Sequence, residues 1–304
     1  MSQNKKAMNF YENNEIDKAL EIFKQEVLHN KGVQSLNNLA WVLYKEEENT
    51  QDAVPLLKEA ILRNPSSHFP YNLLGEIYVE SANWNSAIPM LMKAIDIKPT
   101  IEAFNNLAVA YYHKGDKTRA SEYFNHASKP SDYKKYSYVN CLVELGKYEE
   151  AESVLDTFSE KAEEFVGEVE LADLYADVNA FLKANKSFEK GWERYWKEPN
   201  WVSRYIYCLV QTGEIEKAKK VLDNLIKEKH LELQESYEEE CDENWTEEDK
   251  EQDIQEIKAD IMQYGQMIEQ AINGIKVPLP FEPQVDTACY LFGCERHGHS
   301  EYMD

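Results

Sequence analysis

The stretch that decides the fold is Tyr71-Asn72-Leu73-Leu74-Gly75-Glu76-Ile77-Tyr78, followed by Ala87, Leu91, Ala94 and Pro99. Leu74 and Tyr78 are four residues apart, so they lie on one face of a helix. Gly75, Ala87 and Ala94 are small enough to let two helices cross closely, whereas a larger side chain would push the helices apart. The stretch therefore predicts a pair of helices packed against each other.

The same pattern recurs in both directions along the chain. A shift of 33 residues gives Phe104, Leu107, Ala108, Tyr111, Ala120, Phe124 and Ala127, and an earlier copy is Leu36, Leu39, Ala40, Leu43, Ala53, Leu57, Ala60 and Pro65. We count seven units, at roughly 3–32, 33–67, 68–100, 101–130, 134–162, 165–198 and 199–228. Because one helix pair cannot bury its own apolar face, neighbouring pairs must stack. The sequence predicts an all-α chain of stacked pairs.

This pattern resembles the tetratricopeptide repeat, a helix–turn–helix unit of about 34 residues. The unit at 68–100 matches it nearly completely, with Tyr71 where the family usually has Trp. The resemblance implies a right-handed α-solenoid of about seven helix pairs. It also implies that the first helix of each pair lines a concave surface, which usually holds an extended segment of a partner protein.

A row of asparagines is predicted to face that concave surface. At 100° per residue, the position two before the Leu of the pattern points about 200° away from the packing face. In four consecutive units this position holds Asn4, Asn37, Asn72 and Asn105, which we call the asparagine ladder. An amide both donates to and accepts from a peptide backbone, so the ladder predicts binding of an extended segment with little regard to its side chains. Asparagine as simple polar filler is the alternative.

Other side chains on the same face are candidate binding residues. Trp41, Tyr44, Glu76 and Tyr112 are expected either to contact the partner or to pack between repeats. The ladder ends after four units, and the later units place Glu170, Asp173 and Asp177 nearby. A basic or neutral partner segment is therefore expected.

Charge is unevenly distributed along the chain. Lys and Arg number 33 and Asp and Glu 56, so the net charge of −23 argues against nucleic-acid or anionic-membrane binding. Between Glu232 and Asp260, 14 acidic residues face two lysines, a net charge of 2 − 14 = −12. We predict an acidic linker at 229–246, which is either a solvated connection or a contact for a basic partner.

The C-terminal part is predicted to contain one more helix and a tail. An apolar seam at steps of three and four predicts an amphipathic helix over 247–275, which caps the last repeat or forms a dimer seam. Residues 276–304 form a Pro-rich tail containing Cys289, Cys294, His297 and His299. These four side chains could close a zinc site, but their spacing matches no zinc motif, so we expect an ordinary tail without metal.

The sequence contains no catalytic motif, no run of about 18 apolar residues and only five scattered cysteines. We therefore expect a cytoplasmic, non-enzymatic interaction protein without cofactors, which binds an extended basic or neutral segment of another protein or a peptide. Nucleic acid and membranes are not expected partners, and the oligomeric state is left open. One alternative is an acidic stoichiometric inhibitor, of the antitoxin or immunity type, acting on a basic enzyme such as a nuclease. Another is a peptide-responsive bacterial regulator.

Overall fold

The computed structural model describes residues 2–128, 132–162 and 164–302. Its helices are α1 Gln3–Glu12, α2 Ile16–His29, α3 Val33–Lys45, α4 Thr50–Ile61, α5 Phe69–Glu80, α6 Trp84–Ile97, α7 Ile101–His113, α8 Lys117–Ala127, α9 Asp132–Glu144, α10 Tyr148–Leu155, α11 Glu168–Asp177, α12 Phe181–Gly191, α13 Pro199–Gln211, α14 Ile215–Glu238 and α15 Glu247–Ile272. A short 3-10 helix, Glu295–His297, follows. No strand occurs in these described ranges, so the predicted all-α fold is confirmed.

Helices α1 to α14 form seven consecutive pairs, as the repeat pattern predicts. Three of the turns inside the pairs carry a glycine at positive φ, at Gly115, Gly146 and Gly213. Glycine enters this left-handed region without a steric penalty, which lets the first helix end and the chain reverse. The ends of the predicted unit 101–130 and of the predicted tail 276–304 fall on residues 129–130 and 303–304, outside the described residues.

The chain divides into two compact units. The first contains Met1–Pro130, Lys134–Cys141 and Glu282–Asp304, and the second contains Ser131–Tyr133 and Leu142–Phe281. The end of the chain thus belongs to the same unit as its beginning. Tyr290, Leu291 and Cys294 are part of the core that the first repeats form. The expectation of an ordinary appended tail is wrong for these residues, because their side chains are buried among the repeats.

The core of the first unit is built from the small and aliphatic positions of the repeat. The alanines at equivalent positions of the second helices, Ala19, Ala53, Ala87 and Ala120, have no exposed surface. In the third pair, an added Cβ on Gly75 would lie 2.6 Å from Cγ and Cδ2 of Leu91. Glycine is therefore required there by the close approach of α5 and α6, as the sequence pattern predicts.

The second unit corrects the predicted linker at 229–246. Helix α14 runs on to Glu238, so most of this stretch is helical. Lys229 is buried, and its Nζ lies 2.7 Å from Glu232 and 3.5 Å from Asp260 of α15. Ser236 donates a 2.6 Å hydrogen bond to Asp253. The acidic side chains that suggest a solvated loop are thus partly paired along an antiparallel contact between α14 and α15.

Helix α15 begins after a cap at Thr246. The Thr246 hydroxyl accepts from the Asp249 amide, and the Asp249 carboxylate accepts from the Thr246 amide, a reciprocal capping box. The helix packs on α13 and α14, and Tyr264 in its middle is fully buried. This is the position expected for a helix that covers the last pair. None of the described helices combines the length and the apolar character needed to cross a membrane.

A buried arginine neutralises the acidic residues of the later repeats. Arg204 of α13 has no exposed surface and bonds Asp173 at 2.7 Å, Asp177 at 2.8 Å and the carbonyl of Val277 at 2.8 Å. Lys276 adds a 3.0 Å contact to Asp177. The expectation that these acids attract a basic ligand is therefore corrected for Asp173 and Asp177, because Arg204 and Lys276 already pair with them.

Two glycine-to-alanine substitutions test the packing of the repeats. Gly75→Ala should lower the free energy of unfolding by about 1–3 kcal/mol, because the new methyl group collides with Leu91. Gly265→Ala is the matched control, since Gly265 lies exposed within α15 and an added Cβ there would meet no other atom within 4 Å. It should raise the free energy by up to about 1 kcal/mol through helix propensity. Urea unfolding followed by circular dichroism measures both, and equal effects of the two would contradict the predicted close crossing.

Candidate functional site

The ladder side of the first unit is covered by the chain's own residues 282–302, which we call the tail segment. The surface beneath it, which we call the inner face, consists of side chains from α1, α3, α5 and α7. Side chains of the inner face donate hydrogen bonds to backbone carbonyl groups of the tail segment. These bonds run from Asn105 to Gln284 (2.9 Å), Asn106 to Asp286 (2.7 Å), Trp41 to Ala288 (3.4 Å), Asn37 to Tyr290 (2.6 Å), and from Asn38 and Asn4 to Phe292 (2.9 and 3.1 Å). The predicted groove is therefore already filled by part of the same chain.

The accepting carbonyl groups follow a period of two. They belong to residues 284, 286, 288, 290 and 292, so every second carbonyl of the tail segment points to the inner face. Alternation of this kind is the geometry of an extended chain. The tail segment runs opposite to the order of the repeats, because residue 284 lies on α7 and residue 292 reaches α1.

Two asparagines each form hydrogen bonds with both backbone polar groups of one tail residue. Asn106 donates to the Asp286 carbonyl and accepts from the Asp286 amide, both at 2.7 Å. Asn38 does the same for Phe292, with both bonds at 2.9 Å. The ladder members Asn37 and Asn105 each precede one of these residues, so identical Asn-Asn pairs stand in the second and fourth repeats. We call these two pairs the amide pairs.

The two amide pairs contact tail residues that are a fixed number of positions apart. Asn38 and Asn106 are two repeats apart, while Phe292 and Asp286 are six residues apart. Six extended residues span about 20 Å. The two contacts thus lie six tail residues apart, which sets the register of the segment along the inner face.

The third repeat breaks the pattern. It has Leu73 where the second and fourth repeats have their second asparagine. Asn72 is buried, yet neither its amide nitrogen nor its oxygen has a hydrogen-bond partner among the described residues. By interpolation between the neighbouring repeats, Asn72 faces the part of the tail whose Ala288 carbonyl accepts from Trp41 instead. Asn72 is therefore the ladder member that does not hold the tail segment.

The other predicted site residues, Tyr44, Glu76 and Tyr112, contact side chains of the repeats themselves. Glu76 has no exposed surface, lies 2.6 Å from Lys45, and accepts a 3.3 Å hydrogen bond from the Tyr44 hydroxyl. Burial raises the pKa of Glu76 to about 7, against the opposing effect of Lys45. Tyr112 is buried and meets the His113 ring edge-on, with centroids 5.6 Å apart. For Tyr44, Glu76 and Tyr112 the structure shows packing contacts within the repeats.

Apolar side chains anchor the middle of the tail segment. Tyr290, Leu291 and Phe292 are exposed by 3%, 0% and 4%. Phe69, at the start of α5, lies 5.8 Å from the ring of Tyr290 and 4.9 Å from that of Phe292. Burial of each such side chain contributes about 1.5–3 kcal/mol, so this triplet supplies the main apolar contact of the tail.

Charge also matches between the tail segment and the first unit. Asp286 pairs with Lys134 of α9, Glu282 lies 3.3 Å from His113, and Glu295 lies 3.0 Å from Lys5. Residues 282–302 contain four acidic residues and one arginine, a net charge of 1 − 4 = −3. The segment that lies on the inner face is therefore acidic, and the expectation of a basic or neutral segment does not describe it.

The glycine after Phe292 is required by its position. Gly293 has φ +81°, and an added Cβ would lie 2.7 Å from the side-chain nitrogen of Asn4. A side chain at this point would be both strained and in collision with the ladder. The chain turns here and leaves the inner face.

The four tail residues that carry zinc-ligand side chains separate into two groups. The ligand atoms of Cys289, Cys294 and His297 all lie within 4.8 Å of one another. His299 instead contacts the Leu291 carbonyl through Nδ1 at 3.0 Å. The structure therefore brings together three of the four candidates, despite a spacing that matches no familiar motif.

Six side chains of the inner face donate to carbonyl groups of the tail segment; sequence reasoning located Asn4, Asn37, Asn105 and Trp41 and missed the other two. Asn38 and Asn106, which make the two-point contacts, lie one residue beyond ladder positions. The signal that identifies them is the repeated Asn-Asn dipeptide at equivalent positions of two repeats.

Comparisons with known proteins support the repeat assignment. The family model of anaphase-promoting complex (cyclosome) subunit 3 matches residues 80–158, which include α6 to α10. No curated protein matches the chain in sequence.

Solved structures give a likeness in fold. A tetratricopeptide repeat protein from Parabacteroides merdae is 16% identical, and the match covers 86% of this chain and 97% of that one with a TM-score of 0.51. The C-terminal part of a repeat protein from Cytophaga hutchinsonii is 15% identical, with 89% and 98% covered and a TM-score of 0.45. MamA of strain AMB-1 is 17% identical, with 51% and 95% covered and a TM-score of 0.45.

At these identities the solved structures bear on the fold alone, and that fold agrees with the repeated helix pairs of the sequence pattern. The chain therefore has the fold of a tetratricopeptide-repeat protein, and the family model matches it over residues 80–158.

Proposed function

We propose that this protein is an interaction module whose inner face binds an extended segment of a partner protein, and that the tail segment is an internal ligand that the partner displaces. The observation that carries the proposal is the pair of two-point contacts that Asn38 and Asn106 make with backbone groups. Backbone groups are common to all sequences, so another extended segment can form the same hydrogen bonds.

Side-chain contacts of the tail segment define the preferred partner sequence. Lys134 pairs with Asp286, and Phe69 packs on Phe292 six residues later. Gly293 follows, where Asn4 leaves no room for a Cβ. The inner face should therefore prefer an acidic residue, five intervening residues, and then an aromatic residue followed by glycine.

Tethering gives the tail segment an advantage over any free partner. A ligand attached through a short linker has an effective concentration in the millimolar range. A partner segment of equal intrinsic affinity, present at micromolar concentration, would occupy only about a thousandth of the sites. The proposed function therefore requires a partner that binds more tightly than the tail, or an event that loosens the tail.

Hydrogen exchange in the full chain tests whether the amide pairs hold the backbone. Asn106→Ala removes both bonds to Asp286, so the Asp286 amide should exchange at least about tenfold faster, a change of about 1.4 kcal/mol. Asn72→Ala is the matched control, because Asn72 is a buried ladder residue without a hydrogen-bond partner among the described residues. It should leave exchange at residue 286 unchanged. Equal protection in the two variants would show that the amide pairs do not hold the tail.

Competition by an added peptide tests whether the inner face accepts a foreign segment. A protease recognition sequence is inserted between Leu279 and Pro280, both of which are exposed, and the folded chain is then cleaved. Cleavage removes the tether, so a fluorescent peptide of residues 282–302 should bind about 10²–10⁴ times more tightly than before cleavage, as anisotropy measures it.

Two controls assign that binding to the inner face. The cleaved chain carrying Asn38→Ala and Asn106→Ala should bind the peptide at least tenfold more weakly, because four hydrogen bonds are lost. A peptide with alanine in place of glycine at position 293 should bind more weakly for the steric reason given above. A cleaved chain that binds the peptide no better than the uncleaved chain would contradict the proposal.

A further inference from the structure

Three metal-ligating side chains meet where the tail segment turns away from the inner face. The sulfur atoms of Cys289 and Cys294 and a ring nitrogen of His297 lie within 4.8 Å of one another. The Cys294 sulfur is 3.2 Å from Nδ1 of His297. These side chains come from nine consecutive residues, so the local turn alone brings them together.

The separations suit a tetrahedral zinc ion. Zinc binds thiolate sulfur at about 2.3 Å and imidazole nitrogen at about 2.0 Å, which places neighbouring ligand atoms about 3.5–3.8 Å apart. The observed separations of 3.2 Å and up to 4.8 Å bracket this range. Small side-chain rotations are therefore enough to surround an ion.

The backbone holds two of the ligands in place. The Gly293 amide donates to Ser300 O at 3.0 Å, and the His299 amide donates to Cys294 O at 2.8 Å, which closes the turn. Inside it, the 3-10 helix Glu295–His297 sets Cys294 and His297 three residues apart on one side. A site built on such a hydrogen-bonded turn is preorganised, so less ordering is required when an ion binds.

A side chain from the first repeat fixes the turn from outside. Oε1 of Glu12 accepts the amides of Glu295 and Arg296 at 2.9 and 3.2 Å, and Arg296 donates to Glu12 O at 2.9 Å. Cys294 is buried, Cys289 is half-buried and His297 is exposed. The cluster is thus anchored on its protein side and open to solvent through His297, which provides an entry path for an ion.

We propose that Cys289, Cys294 and His297 bind one zinc ion, with the fourth position taken by water. Two thiolates and one imidazole are ligands that favour zinc over magnesium or calcium. Cys289 and Cys294 flank the buried triplet 290–292, so the ion closes a loop around the residues that are seated on the inner face. Zinc therefore holds this part of the tail segment on the inner face.

Metal titration of the reduced full chain tests the site. The protein is treated with a chelator, dialysed and titrated with cobalt(II), which reports thiolate ligation by a charge-transfer absorption band. One cobalt per chain should bind, and one equivalent of zinc should displace it. Cys289→Ser and His297→Asn should each weaken binding at least tenfold, since changes even outside the ligand set cost 10–100-fold.

Matched controls come from the same chain. Cys241→Ser and His230→Asn replace a partly exposed cysteine and an exposed histidine outside the cluster, and both should bind cobalt as the unsubstituted chain does. His297 is itself exposed, so His297→Asn should leave the helical circular dichroism unchanged and its loss of metal is not a loss of fold.

Three results would overturn the proposal. The first is the lack of a thiolate charge-transfer band, and the second is equal affinity in His297→Asn. The third is a Cys289–Cys294 disulfide in protein isolated with its thiols blocked, since the bond would consume two of the ligands. Zinc should also slow hydrogen exchange over residues 290–299, and unchanged exchange in the metal-bound chain would refute the fastening role.

Discussion

The structure of the first unit depends on one constraint, which is that a backbone buried against helices must have its polar groups paired. The triplet Tyr290–Phe292 can bury its apolar side chains only by bringing its peptide groups out of water as well. An unpaired buried donor or acceptor costs about 1–3 kcal/mol, which would offset much of the apolar gain. Helices cannot offer their own backbone groups, because these are already bonded within the helix. The amide side chains supply the missing partners, and this explains why a row of asparagines, rather than charged residues, lines the face.

The geometry of two different periods explains which repeats make the strongest contacts. An extended chain presents a carbonyl to one side at every second residue, whereas each repeat presents one ladder position. Two repeats correspond to six tail residues. At the two ends of this interval, Asn38 and Asn106 each bond both the amide and the carbonyl of one tail residue. The third repeat lies between these two contacts, and there Asn72 has no hydrogen-bond partner among the described residues while Leu73 replaces the second asparagine.

The fold could be predicted from sequence because it rests on local patterns. The small residues at Gly75 and Ala87 identify a helix crossing. Helical phase places the asparagine ladder on one face of the first helices. The occupant could not be predicted in the same way, since residue 292 meets Asn38 from 254 positions along the chain and no periodicity links them. The prediction of a linker at 229–246 was wrong for a similar reason. Composition alone suggests a solvated stretch, but the buried Lys229 pairs with Asp260 of α15, a partner that only the tertiary structure supplies.

The tail segment joins the two proposals thermodynamically. If zinc binds more tightly when residues 290–292 are seated, then seating is favoured by the same factor when zinc is bound, because the coupling free energy between two binding events is reciprocal. A partner that displaces the segment must therefore also weaken the zinc site, and removal of zinc must ease displacement. The tether and the metal both favour binding of the tail segment. Neither contribution therefore needs to be large by itself for the inner face to stay covered. Local chemistry at Cys289, Cys294 and His297 can in this way control access to a surface built by four repeats.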